Sequence, residues 1–283
     1  MSTVTIENIT RIFEASLSPD MNPRAREVLI HLVRHLHAFA REVHLTHEDW
    51  LVGIDYLTRA ARLTDDKRNE FILISDVLGL ESLVDAISHD ARGSETESAV
   101  LGPFYREGAP KYGRDETISQ RGAQDGASVR IQGRVMDGDG RPVPEATLDV
   151  WETGPEGLYE QQDPEQPDMN LRGVFSVDSR GTYVLRAVKP VSYPIPYDGP
   201  TGDLLKVMGR HPYRPAHIHM IVRAPGYKAL VSQIYDREDP YIESDSVYSV
   251  KGSLLIDFER APEGSDVEFL VRHDVILKRT EAA

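Results

Sequence analysis

The spacing of apolar residues changes once along this 283-residue chain, and this change restricts the fold more than any other feature. Behind Asn22 and Pro23, apolar side chains recur at steps of three and four, at Ala25, Val28, Leu29, Leu32, Leu36, Phe39 and Val43. This spacing predicts a long amphipathic helix, and an asparagine followed by proline is typical of a helix start. From residue 129 onward the apolar period becomes two, which predicts strands.

Further helices are expected before that change. Thr46 and Asp49 resemble a capping box, with Asp in place of Glu, at the start of a helix that we expect to end near Ala61. The run NEFILISDVLGLESLVDAIS, from Asn69, predicts one or two more helices, and residues 90–124 read as an ordered loop. The helical block is too thin to bury all its apolar faces alone, so we expect it to pack on the rest of the chain or on a second subunit.

Short alternating segments dominate the remainder of the chain. They lie at 129–135, 146–151 and 181–187, with further candidates near 217–224, 229–235 and 267–277. Turn sequences such as GDGRP, TGPEG and VDSRG separate them. Many short strands joined by turns predict a mainly antiparallel β-sandwich.

Composition excludes several classes of function. The formal net charge of −14 and the lack of a Lys/Arg-rich run argue against nucleic acid as a partner. The chain has no cysteine, so disulfides, iron–sulfur clusters, thiolate-bound zinc and cysteine nucleophiles are excluded. The first residues do not resemble a signal peptide, and no run of apolar residues is long enough to span a membrane. We therefore expect a cytoplasmic protein.

Two histidines stand one residue apart in the segment RPAHIHM, at 217 and 219. On a strand they point to the same face, with α-carbons about 6–7 Å apart, while Ile218 and Met220 face the opposite layer. The pair can bind one metal ion, and zinc, copper, nickel, iron and manganese all stay open, as does a purely structural role. His31 and His35 are spaced one helical turn apart but lack the glutamate of the zinc-protease pattern, so we interpret them as surface or interface residues.

Two tyrosines strengthen the case for a metal site. Tyr159 lies in GLYEQQD, and Tyr193 lies in YPIP, where two prolines restrict the backbone. Ring packing with one hydrogen bond would explain either tyrosine alone. Because cysteine is absent and no third histidine is suitably spaced, phenolate oxygen is a credible further ligand.

The ordered motifs LGPFY, GLYEQQD, NLRG, YPIP, LLKVMGRHPYRPAHIH and SQIYDREDPYIESD resemble those of the intradiol ring-cleavage dioxygenases, from about Leu73 to Leu270. The resemblance implies a helical dimerisation domain over residues 1–95 and a β-sandwich catalytic domain over residues 96–283. It also implies one non-haem ferric ion, Fe(III), per subunit. The implied iron ligands are Tyr159, Tyr193, His217 and His219.

The resemblance also implies roles for other side chains. Tyr193 is expected to leave the iron and accept a substrate proton, and Arg214, at the rim of the site, to stabilise negative charge on the ring with help from Gln233. A surface salt bridge is the alternative for Arg214. The implied pocket residues are Leu73, Asp76, Val100, Leu101, Gly102, Pro103, Phe104, Ile195, Pro196 and Val247. Asp76 is polar among apolar neighbours, so we hypothesise that it binds a third substrate hydroxyl; a helix-surface or capping role is the alternative.

The expected activity is ring cleavage of an aromatic diol or triol by dioxygen, giving a dicarboxylate. In detail the motifs resemble the members that act on hydroxyquinol, with catechol and chlorocatechol members as near relatives. A metal-free β-sandwich binding module and a histidine-bound zinc hydrolase are the alternatives from other classes. In the family the helical block forms a homodimer contact and can enclose a phospholipid, and the apolar helix faces here are compatible with both.

Overall fold

The computed structural model describes residues 3–65, 68–89 and 95–280. The backbone divides into two compact units, residues 1–59 and 60–283. The functional division expected near residue 95 stays a prediction, and residues 90–94 of the expected loop lie outside the described part of the chain. None of the helices in the described ranges combines the length and apolar character that crossing a bilayer requires.

The described residues form six α-helices. They are α1 Ile9–Ser16, α2 Pro23–Glu42, α3 His47–Leu63, α4 Glu70–Val77, α5 Leu80–Ser88 and α6 Pro200–Val207. Both predicted helix starts are confirmed: Asn22 accepts the backbone N–H of Ala25 at 3.1 Å, and the Thr46 hydroxyl accepts that of Asp49 at 3.1 Å. Helices α1 and α6, of eight residues each, were not predicted from the sequence.

The strands are β1 Ser128–Asp137, β2 Thr147–Trp151, β3 Arg172–Ser176, β4 Thr182–Val188, β5 Tyr193–Pro194, β6 Tyr213–Arg214, β7 His217–Arg223, β8 Leu230–Asp236, β9 Leu255–Ile256, β10 Glu259–Arg260, β11 Phe269–Arg272 and β12 Val275–Leu277. One sheet has the order β10-β11-β1-β12, with β4 also on β1, and the other has the order β3-β2-β7-β8-β9. β5 and β6 form a separate ribbon. Strand β3 was not predicted, and the candidate at 267–277 is two strands.

Most strand pairs are antiparallel, as predicted, but β1 pairs in parallel with β11 and β12, and β8 with β9. Apolar side chains from both large sheets form one buried cluster, with Ile131 and Leu185 from one sheet and Leu148 from the other. Ile218 and Met220 belong to this cluster, as the alternation of β7 predicts. His217 and His219 therefore point away from it, toward the site described below.

Candidate metal centre

Short strand pairings bring the candidate site residues together. The β5–β6 ribbon places Tyr193 opposite Arg214, and the β7–β8 hairpin places His219 opposite Gln233. Tyr159 reaches the same place from the loop that follows β2. Several of these residues are far apart in sequence. They come into contact because of the register in which the β-strands pair.

Four donor atoms converge at the bottom of the site. The Tyr159 hydroxyl lies 2.9 Å from the Tyr193 hydroxyl and 3.0 Å from Nε2 of His219. Nε2 of His217 lies 3.1 Å from Nε2 of His219 and 3.4 Å from the Tyr193 hydroxyl. Ligands held tetrahedrally by bonds of about 2 Å lie about 3.3 Å from each other. The spacing of the four donors therefore fits a single metal ion.

Both imidazoles are buried and present neutral nitrogen. Nδ1 of His217 donates to the Pro215 carbonyl at 2.7 Å, and a carbonyl can only accept, so Nε2 of His217 carries a lone pair. His219 stacks on the Trp151 ring at 4.7 Å, which fixes its orientation, while its Nδ1 is buried without a hydrogen-bond partner. Burial, with Arg214 nearby, lowers the pKa of both histidines well below the usual range. Neutral imidazole is the form that binds metals.

The two phenols are also buried, and burial raises the pKa of Tyr159 and of Tyr193. A nearby cation would offset that penalty and favour the phenolates, which are hard anionic donors suited to a highly charged ion. Across the described ranges, no group of three or more His, Asp or Glu side chains could bind a metal, so a metal ion bound here would need tyrosine oxygen beside the two imidazoles. The donor set of two phenols and two imidazoles fits ferric iron.

Arg214 lies beside these donors in a buried position. Its side chain is only 4% exposed and lines the same cavity, so the alternative of a surface salt bridge is wrong. Nε donates to Oδ1 of Asp245 at 3.2 Å, and Nη2 donates to the Ser249 hydroxyl at 2.5 Å. A buried charge needs such partners because desolvation is costly. The guanidinium is thus a fixed cation in the site.

Gln233 joins Arg214 to the wall of the pocket. Its Oε1 accepts from Nη2 of Arg214 at 2.9 Å and from the Tyr235 hydroxyl at 2.5 Å. Its Nε2 donates to the Val100 carbonyl at 2.6 Å. The amide is therefore held at both ends, and it orients the guanidinium.

A narrow cavity opens above the four donors. Eight of the ten predicted pocket residues line it: Leu73, Asp76, Val100, Gly102, Pro103, Phe104, Ile195 and Val247. The other two predicted residues do not: Leu101 faces a neighbouring outer groove, and Pro196 does not contribute to the lining. The predicted residues that line it are mainly apolar, and the ring of Phe104 stacks on that of Tyr159 with the centroids 4.6 Å apart.

Asp76 is the polar exception in this wall. It is 3% exposed, and its Oδ1 is buried without a hydrogen-bond partner. Burial and the adjoining Glu81 carboxyl raise the pKa of Asp76 to about 9, which favours its protonated form at physiological pH. A neutral carboxyl can both donate and accept, which suits recognition of a hydroxyl group. The structure is inconsistent with the helix-surface alternative for this residue.

Sequence reasoning missed the residues that hold Arg214. Asp245, Tyr235 and Ser249 contact the guanidinium, and two of them occur in the motif SQIYDREDPYIESD. The motif showed that they belong together, but nothing in the apolar pattern indicated contact with an arginine 31 residues away. His31 and His35 are exposed on α2, in agreement with their interpretation as surface residues.

Comparison with known proteins identifies the family and the fold. Residues 100–279 match the family model described as "Dioxygenase", and residues 22–96 match the model "Catechol dioxygenase N terminus". The chain is 45% identical over 268 residues to hydroxyquinol 1,2-dioxygenase of Rhizobium sp., covering 91% of this chain and 90% of that protein. It is also 45% identical over 275 residues to catechol 1,2-dioxygenase of Candida albicans, covering 95% and 91% of the two chains.

Solved structures agree with these matches. The structure of hydroxyquinol 1,2-dioxygenase from Pseudomonas putida DLL-E4 superimposes with a TM-score of 0.90 at 40% sequence identity. The match covers 97% of this chain and 99% of the other. The similarity therefore extends over the helical and the sheet regions alike.

Proposed function

Because this chain belongs to the intradiol ring-cleavage dioxygenase family, we propose that it uses dioxygen to cleave hydroxyquinol, a benzene ring with three hydroxyl groups. Cleavage between two neighbouring hydroxylated carbons gives a hydroxymuconate, the tautomer of maleylacetate. The observation that carries this choice of substrate is the buried carboxyl of Asp76 among the apolar side chains of the wall above the four proposed metal donors. A diol would leave Oδ1 of that carboxyl without a partner, which costs free energy.

The metal centre is proposed to hold one ferric ion per subunit on Tyr159, Tyr193, His217 and His219. The convergence of their four donor atoms at 2.9–3.4 Å supports this assignment. Bound ferric iron would withdraw electron density from a chelated diol and so activate the ring toward dioxygen.

The protein side chains would handle protons and charge. Tyr193 accepts a proton from a substrate hydroxyl as general base; its hydroxyl lies among the donor atoms, next to the cavity that it lines. Arg214 stabilises negative charge that develops on the ring, and Gln233 keeps the guanidinium oriented. The apolar walls exclude water and hold the ring flat between Val247, Ile195 and their neighbours.

Asp76 is proposed to bind the third hydroxyl of hydroxyquinol. Its unpartnered Oδ1 accepts from a hydroxyl, and its neutral state avoids placing a second negative charge beside a substrate that loses protons. This contact distinguishes the triol from catechol.

Catechol or a chlorocatechol is the second candidate substrate, favoured by the similarity to the Candida albicans catechol 1,2-dioxygenase. Dioxygen uptake by the iron-loaded protein, measured side by side with hydroxyquinol, catechol and chlorocatechols, decides between them. We expect the highest kcat/KM with hydroxyquinol. A colourless, iron-free protein after expression with added iron would instead support a metal-free binding module, and zinc in a colourless protein would support a hydrolase.

Homodimer formation through the N-terminal helices is proposed because α2 has no buried residue and exposes Leu32, Leu36 and Phe39. A phospholipid enclosed at that contact and a cytoplasmic location are further expectations. Mass measurement in solution, lipid extraction and cell fractionation test the three separately.

A further inference from the structure

Arg210 connects two segments that both contribute to the pocket wall, although Arg210 itself does not line that pocket. Its Nη1 donates to the Val77 carbonyl at 2.8 Å, at the end of α4. Its Nη2 donates to the carbonyls of Ser246 at 3.0 Å and Asp245 at 3.4 Å. One guanidinium thus satisfies a helix-end carbonyl and two loop carbonyls.

Each of the two segments carries side chains of the site. Helix α4 contributes Leu73 and Asp76 to the cavity. The other segment, residues 245–249, is here called the support loop; its Val247 lines the cavity, and its Asp245 and Ser249 hold Arg214. The distance between α4 and the support loop therefore bears on the shape of the cavity and on the position of Arg214.

Tyr248 stabilises the outer side of the support loop through contacts of its ring. Its backbone has a φ of 58°, which is unfavourable for a residue with a side chain, and this conformation turns the ring outward. The ring lies 4.2 Å from the Arg210 guanidinium and packs against Gly79, where an added Cβ would meet it at 3.2 Å. This cation–π contact helps to keep the guanidinium in position to reach both sets of carbonyls.

We propose that Arg210 is a positioning residue that sets the width of the aromatic slot and thereby the selectivity among ring substituents. The proposal rests on the proposed function, since it assumes that the slot binds aromatic diols. Lysine cannot replace Arg210, because one ammonium group cannot span carbonyls on two segments as a planar fork does. Weakening the hydrogen bonds of Arg210 lets α4 and the support loop separate. The wider slot then admits larger rings and holds smaller rings in the wrong position.

The test compares Arg210→Lys and Tyr248→Ala with two matched controls. Tyr248→Phe keeps the ring and removes only an exposed hydroxyl, and Arg141→Lys changes an arginine paired with Asp139 at the surface. Hydrogen exchange should increase at residues 73–79 and 245–249 in the first two variants and in neither control. The ratio of kcat/KM for hydroxyquinol to that for a chlorocatechol should fall about tenfold in the same two variants.

The visible absorption band of the iron-loaded variants should be unchanged, because none of the four proposed ligands contacts Arg210 in the described structure. A ratio that stays within about twofold in an active Arg210→Lys variant would overturn the proposal, even if the melting temperature falls. Unchanged exchange at both segments would overturn it as well. Failure of the wild-type protein to consume dioxygen with any of these diols would instead defeat the proposed function.

Discussion

Nη1 of Arg214 lies 3.0 Å from Nε2 of His217, so a fixed cation donates to the same lone pair that we assign to the metal ion. One lone pair cannot serve both partners. Metal binding to His217 would therefore free this N–H of Arg214 to face the substrate, while the contacts to Asp245 and Gln233 continue to hold the guanidinium. The geometry thus couples occupancy of the metal site to the availability of a donor for the ring.

Replacing Arg214 should separate its structural role from its role toward the substrate. Arg214→Ala leaves the Asp245 carboxylate buried and unpaired, which we expect to cost about 3–5 kcal/mol of stability. Loss of the donor should also lower kcat/KM by about 10²–10³. Denaturant unfolding and dioxygen uptake measure the two effects.

The double variant Arg214→Ala/Asp245→Asn serves as the matched control, because it removes both charges of the buried pair. We expect it to recover much of the stability but not the activity. Recovery of activity along with stability would mean that Arg214 only supports the fold.

The two phenols should be required for colour. Tyr159→Phe and Tyr193→Phe each remove one proposed ligand oxygen, so we expect less bound iron and a weaker or shifted visible band. Tyr183→Phe is the control, since this buried tyrosine donates to the His273 carbonyl and is not one of the proposed ligands. The Tyr183→Phe variant should keep the full visible band. In a separate test, a chelator should remove the colour of the wild-type protein, and added ferric iron should restore it. Iron analysis and absorbance spectra from both phenol variants that equal the control would contradict the ligand assignment.

Asp76 should control the preference for the triol. In Asp76→Ala the partner of the third hydroxyl is lost, so the ratio of kcat/KM for hydroxyquinol to that for catechol should fall about tenfold to a hundredfold. Asp76→Asn keeps a neutral group that donates and accepts hydrogen bonds, so the same ratio should fall less in this variant. An unchanged ratio in the alanine variant, from parallel dioxygen-uptake assays, would rule out this role.

The Asp76 carboxyl should make the stability of the folded protein depend on pH. Its pKa is raised to about 9 by burial and by Glu81 and Asp245, against the opposing effect of Arg214. Between about pH 4 and pH 9 the folded state keeps a proton that the unfolded state has lost, so this group lowers stability as pH rises through that window. We expect Asp76→Asn to raise the melting temperature at pH 8 and to change it much less near pH 4. An equal shift at both pH values would indicate that Asp76 is ionised in the folded protein.

Much of this architecture can be read from local patterns. Periodicity and capping residues identified α2 and α3, and strand alternation identified β1, β2 and β4 with the correct faces. The i, i+2 spacing of His217 and His219 determined that they share a face, because side chains alternate on any strand. The elements α1, α6 and β3 were not predicted.

The sequence by itself determined which chemistry is available: no thiol, two tyrosines and two histidines in recognisable motifs, and an arginine three residues before the pair. Only the tertiary structure decided that Arg214 is buried against Asp245, that Asp76 is buried in the cavity wall, and that Leu101 and Pro196 do not line that cavity. The physical reason is that burial and charge pairing depend on chain segments distant in sequence. Ladder registers and loop conformations bring those segments together, and no local pattern encodes the resulting distances.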